Sequence, residues 1–313
     1  MTVEPMVHIP VLLDAVLGAA ASVTAAPDPM GRLWGIDGTL GAGGHAAALL
    51  EAHPEFDLLG TDQDEAMLSI AEACLGTFGA RVVTKRARAT ELDELLRAGE
   101  LPFQGAPAWM LFDLGVSSLH LDEAERGFSF QADAELDMRM DRRRERTAAD
   151  IVNTWSTEDL ADLFWREGDE RRSRQVAAAI GEARRRAPIK RTLMLADLVQ
   201  RAVGGGGKIH GATRVFQALR REVNREGAEL DAALALAVEH LAPGGVLAIL
   251  SFHSGESRAV KHWMAGEVRA GRFELLSKKP QRATEFERRA NPRARSAELR
   301  AARRLASSQG GAL

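Results

Sequence analysis

A glycine-dense segment near the N-terminus has the residue types and the spacing most suited to chemistry. An apolar run ends in Asp37, four glycines follow within residues 38–44, and residues 46–50 are typical of the start of a helix. A strand, a glycine-rich loop and a helix form the first crossover of a nucleotide-binding α/β sheet. Glycine is required in such a loop because it lets backbone N–H groups approach a ligand closely. The segment therefore predicts a ligand-binding loop.

A second acidic residue indicates which kind of ligand the loop takes. Asp62 ends the next apolar run, about twenty residues beyond the loop, where a carboxylate can hold ribose hydroxyls. Asp37 directly precedes the loop, where its charge would repel a pyrophosphate. S-adenosylmethionine has an adenosine, no phosphate and a positive sulfonium, so it fits both carboxylates, with Asp37 orienting the loop. The alternative is a tight turn followed by an Asp at a strand end.

Strand-like and helix-like segments alternate on both sides of this loop, which is typical of a parallel, doubly wound sheet. Ligands of such sheets lie at the carboxyl ends of the strands. Asp37, Asp62 and Asp113 are therefore expected along one edge, with Asp113 the candidate for touching a substrate; its alternative role is to cap the next turn. Strands are predicted at 32–36, 56–61, 81–84, 108–112, 246–250 and 273–277, and helices at 46–52, 65–76, 91–98 and 213–241.

The alternation stops after Ser118. Residues 120–204 contain no strand-like apolar run, and Ser156 is a good helix N-cap within them. The sequence predicts a discontinuous α/β domain, residues 1–118 and 210–313, interrupted by an inserted helical domain, residues 119–209, expected to cover the strand ends as a lid.

Charge is distributed unevenly along the chain. The net charge is −3, yet residues 278–304 hold ten Lys or Arg and three Glu, a local charge of +7. Such a segment favours a phosphate-bearing partner, and a solvated tail is the alternative. Cys74 is the only cysteine, so neither an intramolecular disulfide nor a cysteine zinc site is expected, and no metal site is predicted. The apolar stretch at 11–23 is interrupted and too short to cross a bilayer, so a cytoplasmic protein is expected.

An ordered set of motifs resembles one bacterial enzyme family: the methyltransferases that form N4-methylcytidine in small-subunit (16S) ribosomal RNA, the MraW or RsmH type. The resemblance spans His8 to Arg300, nearly the whole chain. It implies a Rossmann-like methyltransferase domain with a helical RNA-side insertion, S-adenosyl-L-methionine as methyl donor and 16S ribosomal RNA as partner. The motifs are DGTLGAGGH at 37–45, DLGVSS at 113–118, RGFSF at 126–130, LDMRMD at 136–141, ATRVFQALR at 212–220, SFHS at 251–254 and NPRARS at 291–296.

The resemblance also implies contacts to the cofactor. His120 stands where the family commonly has Gln, and Ala89 stands near a family Phe, which would leave the adenine face less covered. The implied cofactor positions are Gly43, Gly44, His45, Asp62, Ala89, Asp113 and His120.

The implied reaction requires an acceptor for the protons of the target amine. The lone pair of the cytosine N4 amine is delocalised into the ring, so the enzyme must align the amine with the methyl group and accept its hydrogen bonds. Asp113 is placed for that role. The chain has no Tyr, so Phe128 or Phe130 is expected to stack on the base, with core packing as the alternative. His253 is as consistent with a buried structural histidine as with a catalytic one.

Three other functions remain open from the sequence. The same fold and cofactor could serve another substrate, against which the basic segments speak. An NAD-dependent oxidoreductase is disfavoured by Asp37 and by the lack of a hydride-site motif. A ribosome-assembly factor that binds RNA without catalysis is disfavoured by the intact loop and Asp113. The oligomeric state is undetermined, and a homodimer is one option.

Overall fold

A computed structural model of the chain describes residues 10–117, 120, 123–204 and 210–306. The chain divides into two compact units. The sheet unit comprises Met1–Gly115 and Ala228–Leu313, and the helical unit comprises Val116–Gly227. His8, Ser118 and residues 205–207 of the glycine run, all of which entered the sequence analysis, lie outside the described residues.

The sheet unit is built on eight strands. Their order, β3-β2-β1-β4-β5-β8-β6 with β7 beside β8, has the 3-2-1-4-5 core of a Rossmann-like sheet. The β1–β2, β1–β4, β2–β3 and β4–β5 pairs are parallel, which confirms the predicted fold class. The strands are β1 Leu33–Asp37, β2 Phe56–Asp62, β3 Val82–Arg86, β4 Trp109–Asp113, β5 Val246–Ser251, β6 Phe273–Leu275, β7 Gln281–Arg282 and β8 Glu298–Arg304.

Helices cover both faces of this sheet, and the side chains of β4 show how. Trp109 and Leu111 pack into the core on one face, whereas Met110 and Phe112 pack into the core on the other. A strand buried on both faces reads as a continuous apolar run, which is why β4 and β5 were recognisable in the sequence. The helices of this unit are α1 Leu13–Ala20, α2 Gly44–Ala52, α3 Glu65–Leu75, α4 Ala89–Arg97, α10 Glu226–His240 (which begins at the unit boundary), α11 Ser254–Arg269 and α12 Glu285–Ala290.

The helical unit has a core of its own. Ser156 accepts a hydrogen bond from the Asp159 N–H at 3.0 Å and caps its helix as predicted. The bounds of the unit differ from the expected 119–209 because residues 212–224 pack into this core, through Val215, Phe216 and Leu219. The helices are α5 Ala148–Thr154, α6 Thr157–Gly168, α7 Ser173–Arg184, α8 Thr192–Val203 and α9 Ala212–Asn224.

The single helix predicted at 213–241 is wrong. Arg225 adopts left-handed backbone angles (φ 51°, ψ 42°) and ends α9, and α10 begins at the next residue. The buried Asn224 side chain accepts from the Met140 N–H and donates to the Met138 carbonyl, both at 2.8 Å. Apolar periodicity continues across the break because each helix buries one face, so spacing alone could not reveal it.

The basic segment at 278–304 is not a solvated tail along its whole length. Residues 298–304 form β8, which pairs antiparallel with β5 and β6 within the sheet. Ala301 and Ala302 point to opposite cores, and the arginines on either side of them interrupt the apolar run that would have predicted a strand. Among the described residues no helix is both long and apolar enough to cross a membrane.

Candidate functional site

The carboxyl ends of three neighbouring strands bring Asp37, Asp62 and Asp113 to one edge of the sheet. Register places Asp37 beside Leu111 of β4 and beside Gly60 of β2. We call this region, with its three aspartates, the acidic edge. The juxtaposition follows from parallel topology, as the sequence predicted.

The glycine loop between β1 and α2 is shaped by its neighbours. A Cβ on Gly38 would overlap the ring of Phe112, and Gly43 has a φ of 84°, which L side chains rarely adopt. Among the described residues, a Cβ on Gly41 would meet only the Thr39 carbonyl, at 3.9 Å, so none of them closes the loop on that side. Gly44 is the first residue of α2. The loop thus presents backbone to an open space beside the acidic edge.

Asp62 fixes this loop to β2. Its Oδ2 accepts from the Gly41 N–H and its Oδ1 from the Asp64 N–H, both at 2.8 Å. Orientation of the loop, expected of Asp37, therefore falls largely to Asp62. Each carboxylate oxygen has a second lone pair, so a role toward ribose hydroxyls remains compatible with these bonds.

Thr39 joins the ends of β1 and β4, a role that sequence analysis missed. Its N–H donates to Asp37 Oδ1 at 3.2 Å, and its Oγ1 accepts from the Asp113 N–H at 2.5 Å. The only signal in the sequence was its position inside the glycine motif.

Asp113 has the most unusual environment of the three aspartates. Its side chain is 28% exposed, but Oδ1 is buried and has no hydrogen-bond partner among the described residues. Burial, followed by the negative charges of Asp37 and Glu256, raises its pKa to about 8. A buried oxygen without a partner is costly, so its persistence marks a functional candidate.

Asp37 is almost fully buried, with 2% of its surface exposed. Burial raises its pKa to about 7, the charge of Asp62 adds to the effect, and the hydrogen bond from Thr39 opposes it. The acidic edge therefore holds two carboxyl groups that a positively charged ligand would help to ionise.

His45 lies at the start of α2 and faces Asp113. Its Nε2 is 2.9 Å from the Val11 carbonyl, which can only accept, so Nε2 carries a proton. Its Nδ1 is 3.8 Å from Asp113 Oδ2, too far for a hydrogen bond. His45 therefore anchors the loop to the chain before α1, and its expected contact with a cofactor stays a prediction.

The remaining predicted cofactor positions lie in different units. Ala89 is the first residue of α4 in the sheet unit and follows Ala87, whose N–H donates to the Asp62 carbonyl at 3.1 Å. His120 belongs to the helical unit, where it is 4% exposed, exchanges hydrogen bonds with Ser117 and packs against Phe128. The cofactor roles of both residues remain predictions.

The two candidate stacking aromatics differ in burial. Phe128 is 6% exposed and belongs to the helical core, which favours packing as its role. Phe130 is half-buried and contacts Phe216 and His210, with ring centroids 4.9 and 4.7 Å away. Phe130 therefore remains the better hypothesis for stacking on a base.

His253 has a structural role that the sequence left open. Its Nδ1 accepts from the Gly255 and Glu256 N–H groups and caps α11. Its Nε2 lies 3.0 Å from the carboxylate of Glu256, which is 5% exposed and also accepts from the Phe252 N–H. Glu256, which raises the pKa of Asp113, went unnoticed in the sequence.

Comparison with known proteins identifies the family. A model of the MraW methylase family matches residues 5–305. The chain belongs to the MraW methylase family. A relative named ribosomal RNA small subunit methyltransferase H, from Cyanothece sp. (strain PCC 7425 / ATCC 29141), is 44% identical over 309 residues and covers 98% of both chains. A relative of that name from Sorangium cellulosum (strain So ce56) is 46% identical over 286 residues, 90% of this chain and 88% of its own.

Membership places the acidic edge in a methylase. The roles of the glycine loop, Asp62 and Asp113 toward a methyl donor stay predictions.

Proposed function

We propose that the protein transfers the methyl group of S-adenosyl-L-methionine to the exocyclic N4 amine of a cytidine in small-subunit (16S) ribosomal RNA. The observation that carries the proposal is the buried, unpartnered Oδ1 of Asp113 at the acidic edge of a MraW methylase. The names of the relatives supply the substrate class, because they describe small-subunit ribosomal RNA methyltransferases.

The residues of the acidic edge suit this cofactor. Two carboxyl groups with raised pKa values favour a cation, and S-adenosyl-L-methionine carries a sulfonium and an ammonium group. A pyrophosphate would make the ionisation of either carboxyl group still more costly, which argues against a dinucleotide. The open side of the loop at Gly41 and the adjoining Gly43 and Gly44 would hold the amino-acid end, and Asp62 the ribose.

Asp113 would hold and deprotonate the target amine. The cofactor supplies an electrophilic methyl group: a nitrogen–carbon bond forms as the carbon–sulfur bond breaks. Oδ1 of Asp113 accepts a hydrogen bond from the amine, which localises the nitrogen lone pair, and the ionised carboxylate takes the proton that leaves. Thr39 fixes the Asp113 backbone through its 2.5 Å hydrogen bond, so the acceptor is held in position.

One experiment tests both the nucleoside that is formed and the role of Asp113. The protein is incubated with tritiated S-adenosyl-L-methionine and small ribosomal subunits from a strain lacking this methylation, and the nucleosides are analysed by mass spectrometry. Label is expected in N4-methylcytidine with wild-type protein and with the matched control Asp231→Asn, an exposed carboxylate. Label should be lost with Asp113→Asn.

Other outcomes would identify the alternatives. Label in a different nucleoside or in protein would contradict the substrate. Cofactor binding by calorimetry without any label would favour a non-catalytic assembly factor. We place the reaction in the cytoplasm, since small ribosomal subunits are its substrate. A homodimer stays a hypothesis, which sedimentation velocity of the full chain tests.

A further inference from the structure

Two clefts of the sheet unit lie outside the acidic edge and adjoin each other. The first, of about 480 Å³, is lined by Phe252 and His253, by Arg258 and Lys261 of α11, and by Ser296 and Glu298. The second, of about 240 Å³, shares Ser296 and Glu298 with the first and is also lined by basic residues, Arg282, Arg288 and Arg295. We call the two clefts together the basic groove.

Most cations of the groove have no internal partner. In the described part of the chain, no ion pair or side-chain hydrogen bond involves Arg258, Lys261, Arg288 or Arg295, and all four are exposed. Arg258 and Lys261 are three residues apart on α11 and so project from the same side of the helix. Clustered like charges repel one another, so a surface that keeps them together without counter-charges is suited to a polyanion.

Among the described residues that line the groove, the carboxylate is Glu298, and its charge is already paired. Glu298 forms an ion pair with Arg282 and accepts a hydrogen bond from the Ser257 hydroxyl. Its charge is therefore compensated within the groove wall, whereas Arg258, Lys261, Arg288 and Arg295 have no such partner among the described residues.

The groove begins next to the acidic edge. Leu250 of β5 pairs with Asp113 of β4, and its carbonyl accepts from the Leu114 N–H at 3.0 Å. The groove starts two residues later, at Phe252, whose ring would lie 3.6 Å from a Cβ on Gly115. A chain held at Asp113 can thus continue directly into the groove.

An exposed aromatic belongs to the same helix as one cation of the second cleft. Phe286 of α12 is 84% exposed, and the cleft residues Ala283 and Arg288 lie on either side of it in the chain. Exposed cations and an exposed aromatic ring on one chain segment are residue types that bind single-stranded nucleic acid, through phosphates and base stacking.

We infer that the basic groove binds the phosphates of the RNA strand flanking the target nucleotide, and that Phe286 stacks on one of its bases. The inference rests on the proposed RNA substrate and assigns the strand a path from Asp113 along α11 to α12.

The test compares two double variants of equal charge change. Lys261→Gln/Arg295→Gln removes one free cation from each cleft, and Lys85→Gln/Arg269→Gln removes two exposed cations of the sheet unit that line neither. Affinity for a fluorescein-labelled 15-nucleotide single-stranded RNA is measured by anisotropy at several salt concentrations. The groove variant should bind about tenfold more weakly, and its slope of log affinity against log salt should fall by about 1.4. The control should match wild type.

Phe286 is tested separately because its contribution does not depend on salt. Phe286→Ala should weaken RNA binding about tenfold with the slope unchanged, and Phe286→Trp should retain affinity. Calorimetry should show unchanged S-adenosyl-L-methionine affinity for every variant, because none of the substituted residues lies at the acidic edge.

The outcomes separate this inference from the proposed function. If wild-type protein forms N4-methylcytidine but the groove variant shows the RNA affinity, salt slope and KM of the control, the groove inference is overturned and the function stands. A groove variant that binds RNA normally but loses self-association in sedimentation velocity would also overturn it, since the groove would then take a second copy. If the groove variant binds RNA more weakly than the control but wild-type protein forms no methylated nucleoside, the groove inference is supported and the proposed function is refuted.

Discussion

The acidic edge and the basic groove are neighbours in one unit, yet they hold their charges in opposite ways. Asp37 and Asp113 are held in surroundings that raise their pKa values to about 7 and 8. The groove cations Lys261, Arg288 and Arg295 are exposed and lack ion pairs in the described residues. The carboxyl groups of the acidic edge are therefore in surroundings that make ionisation costly, whereas the cations of the groove are in solvent, where ionisation costs little.

Because of this difference, the two regions suit different kinds of ligand. A buried carboxyl interacts strongly with a single charge placed beside it, because the local dielectric constant is low. Exposed cations interact weakly with any one charge, and salt screens them, but together they attract a polyanion. The acidic edge is therefore suited to one small cation at a defined position, and the groove to a long anionic strand.

The largest effect is expected from neutralising a carboxyl group of the acidic edge. Asp113→Asn keeps the shape of the side chain but cannot take a proton, so kcat for methyl transfer should fall by about 10²–10⁴. Single-turnover assays with small ribosomal subunits measure it, and Asp231→Asn, an exposed carboxylate, is the control. Near-normal turnover by Asp113→Asn would show that the carboxylate is not the acceptor.

The pH dependence of cofactor binding tests whether the acidic edge selects a cation. Asp113, with its pKa near 8, is neutral at pH 6, so a sulfonium that needs the ionised form must displace a proton. The affinity ratio of S-adenosyl-L-methionine to S-adenosylhomocysteine should rise by up to about tenfold per pH unit from pH 6 and level off above pH 8. The ratio cancels the shared amino group.

Calorimetry at each pH measures both affinities. In Asp113→Asn the ratio should lose most of this pH dependence. A wild-type ratio that stays flat from pH 6 to pH 9 would argue that the sulfonium does not interact with Asp113.

Stability should show the cost of burying charge at the acidic edge. The pKa of Asp37 is about 7 in the folded protein and 3.8 as its ordinary value, so the folded state binds the extra proton between those pH values. Stability contributed by the neutral carboxyl is present below about pH 4 and is lost as pH rises to 7. Asp37→Asn should therefore raise Tm by several degrees at pH 8 and by much less at pH 5.

Differential scanning calorimetry without cofactor makes this measurement. Asp231→Asn, exposed on the same unit, should change Tm equally at the two pH values. An Asp37→Asn variant with the same Tm difference at both values would mean that Asp37 is ionised in the folded protein.

The sequence could predict the acidic edge because it follows from topology. Apolar runs that end in Asp37, Asp62 and Asp113 place these residues together once the strands are parallel, and the glycine motif locates the loop. The partners of these residues could not be found this way. Thr39 acts through two hydrogen bonds and Glu256 through its buried charge, and neither leaves a periodic pattern in the sequence.

In the basic groove, the sequence predicted the excess of positive charge but not which cations lack a partner. Composition identified a basic C-terminal segment, but only the structure separates cations with internal partners from free ones. Arg282 forms an ion pair with Glu298, and Arg303 forms one with Glu274. Arg288 and Arg295 have no such partner among the described residues. The strand β8 was missed because only Leu299, Ala301 and Ala302 of its seven residues are apolar, so its sequence contains no apolar run.

The smallest effect is expected from arginines that already have partners. The helical unit also contains arginine-rich segments, but Arg185 and Arg186 both pair with Glu182, and Arg143 pairs with Asp141. Arg186→Gln should change RNA affinity less than about twofold, since a paired cation releases fewer counterions on binding. The anisotropy assay with labelled RNA measures this beside Arg295→Gln, which removes an unpaired cation of the groove. Equal losses in the two variants would show that pairing does not decide which arginines bind RNA, and the contrast between free and partnered charge would then have to be abandoned.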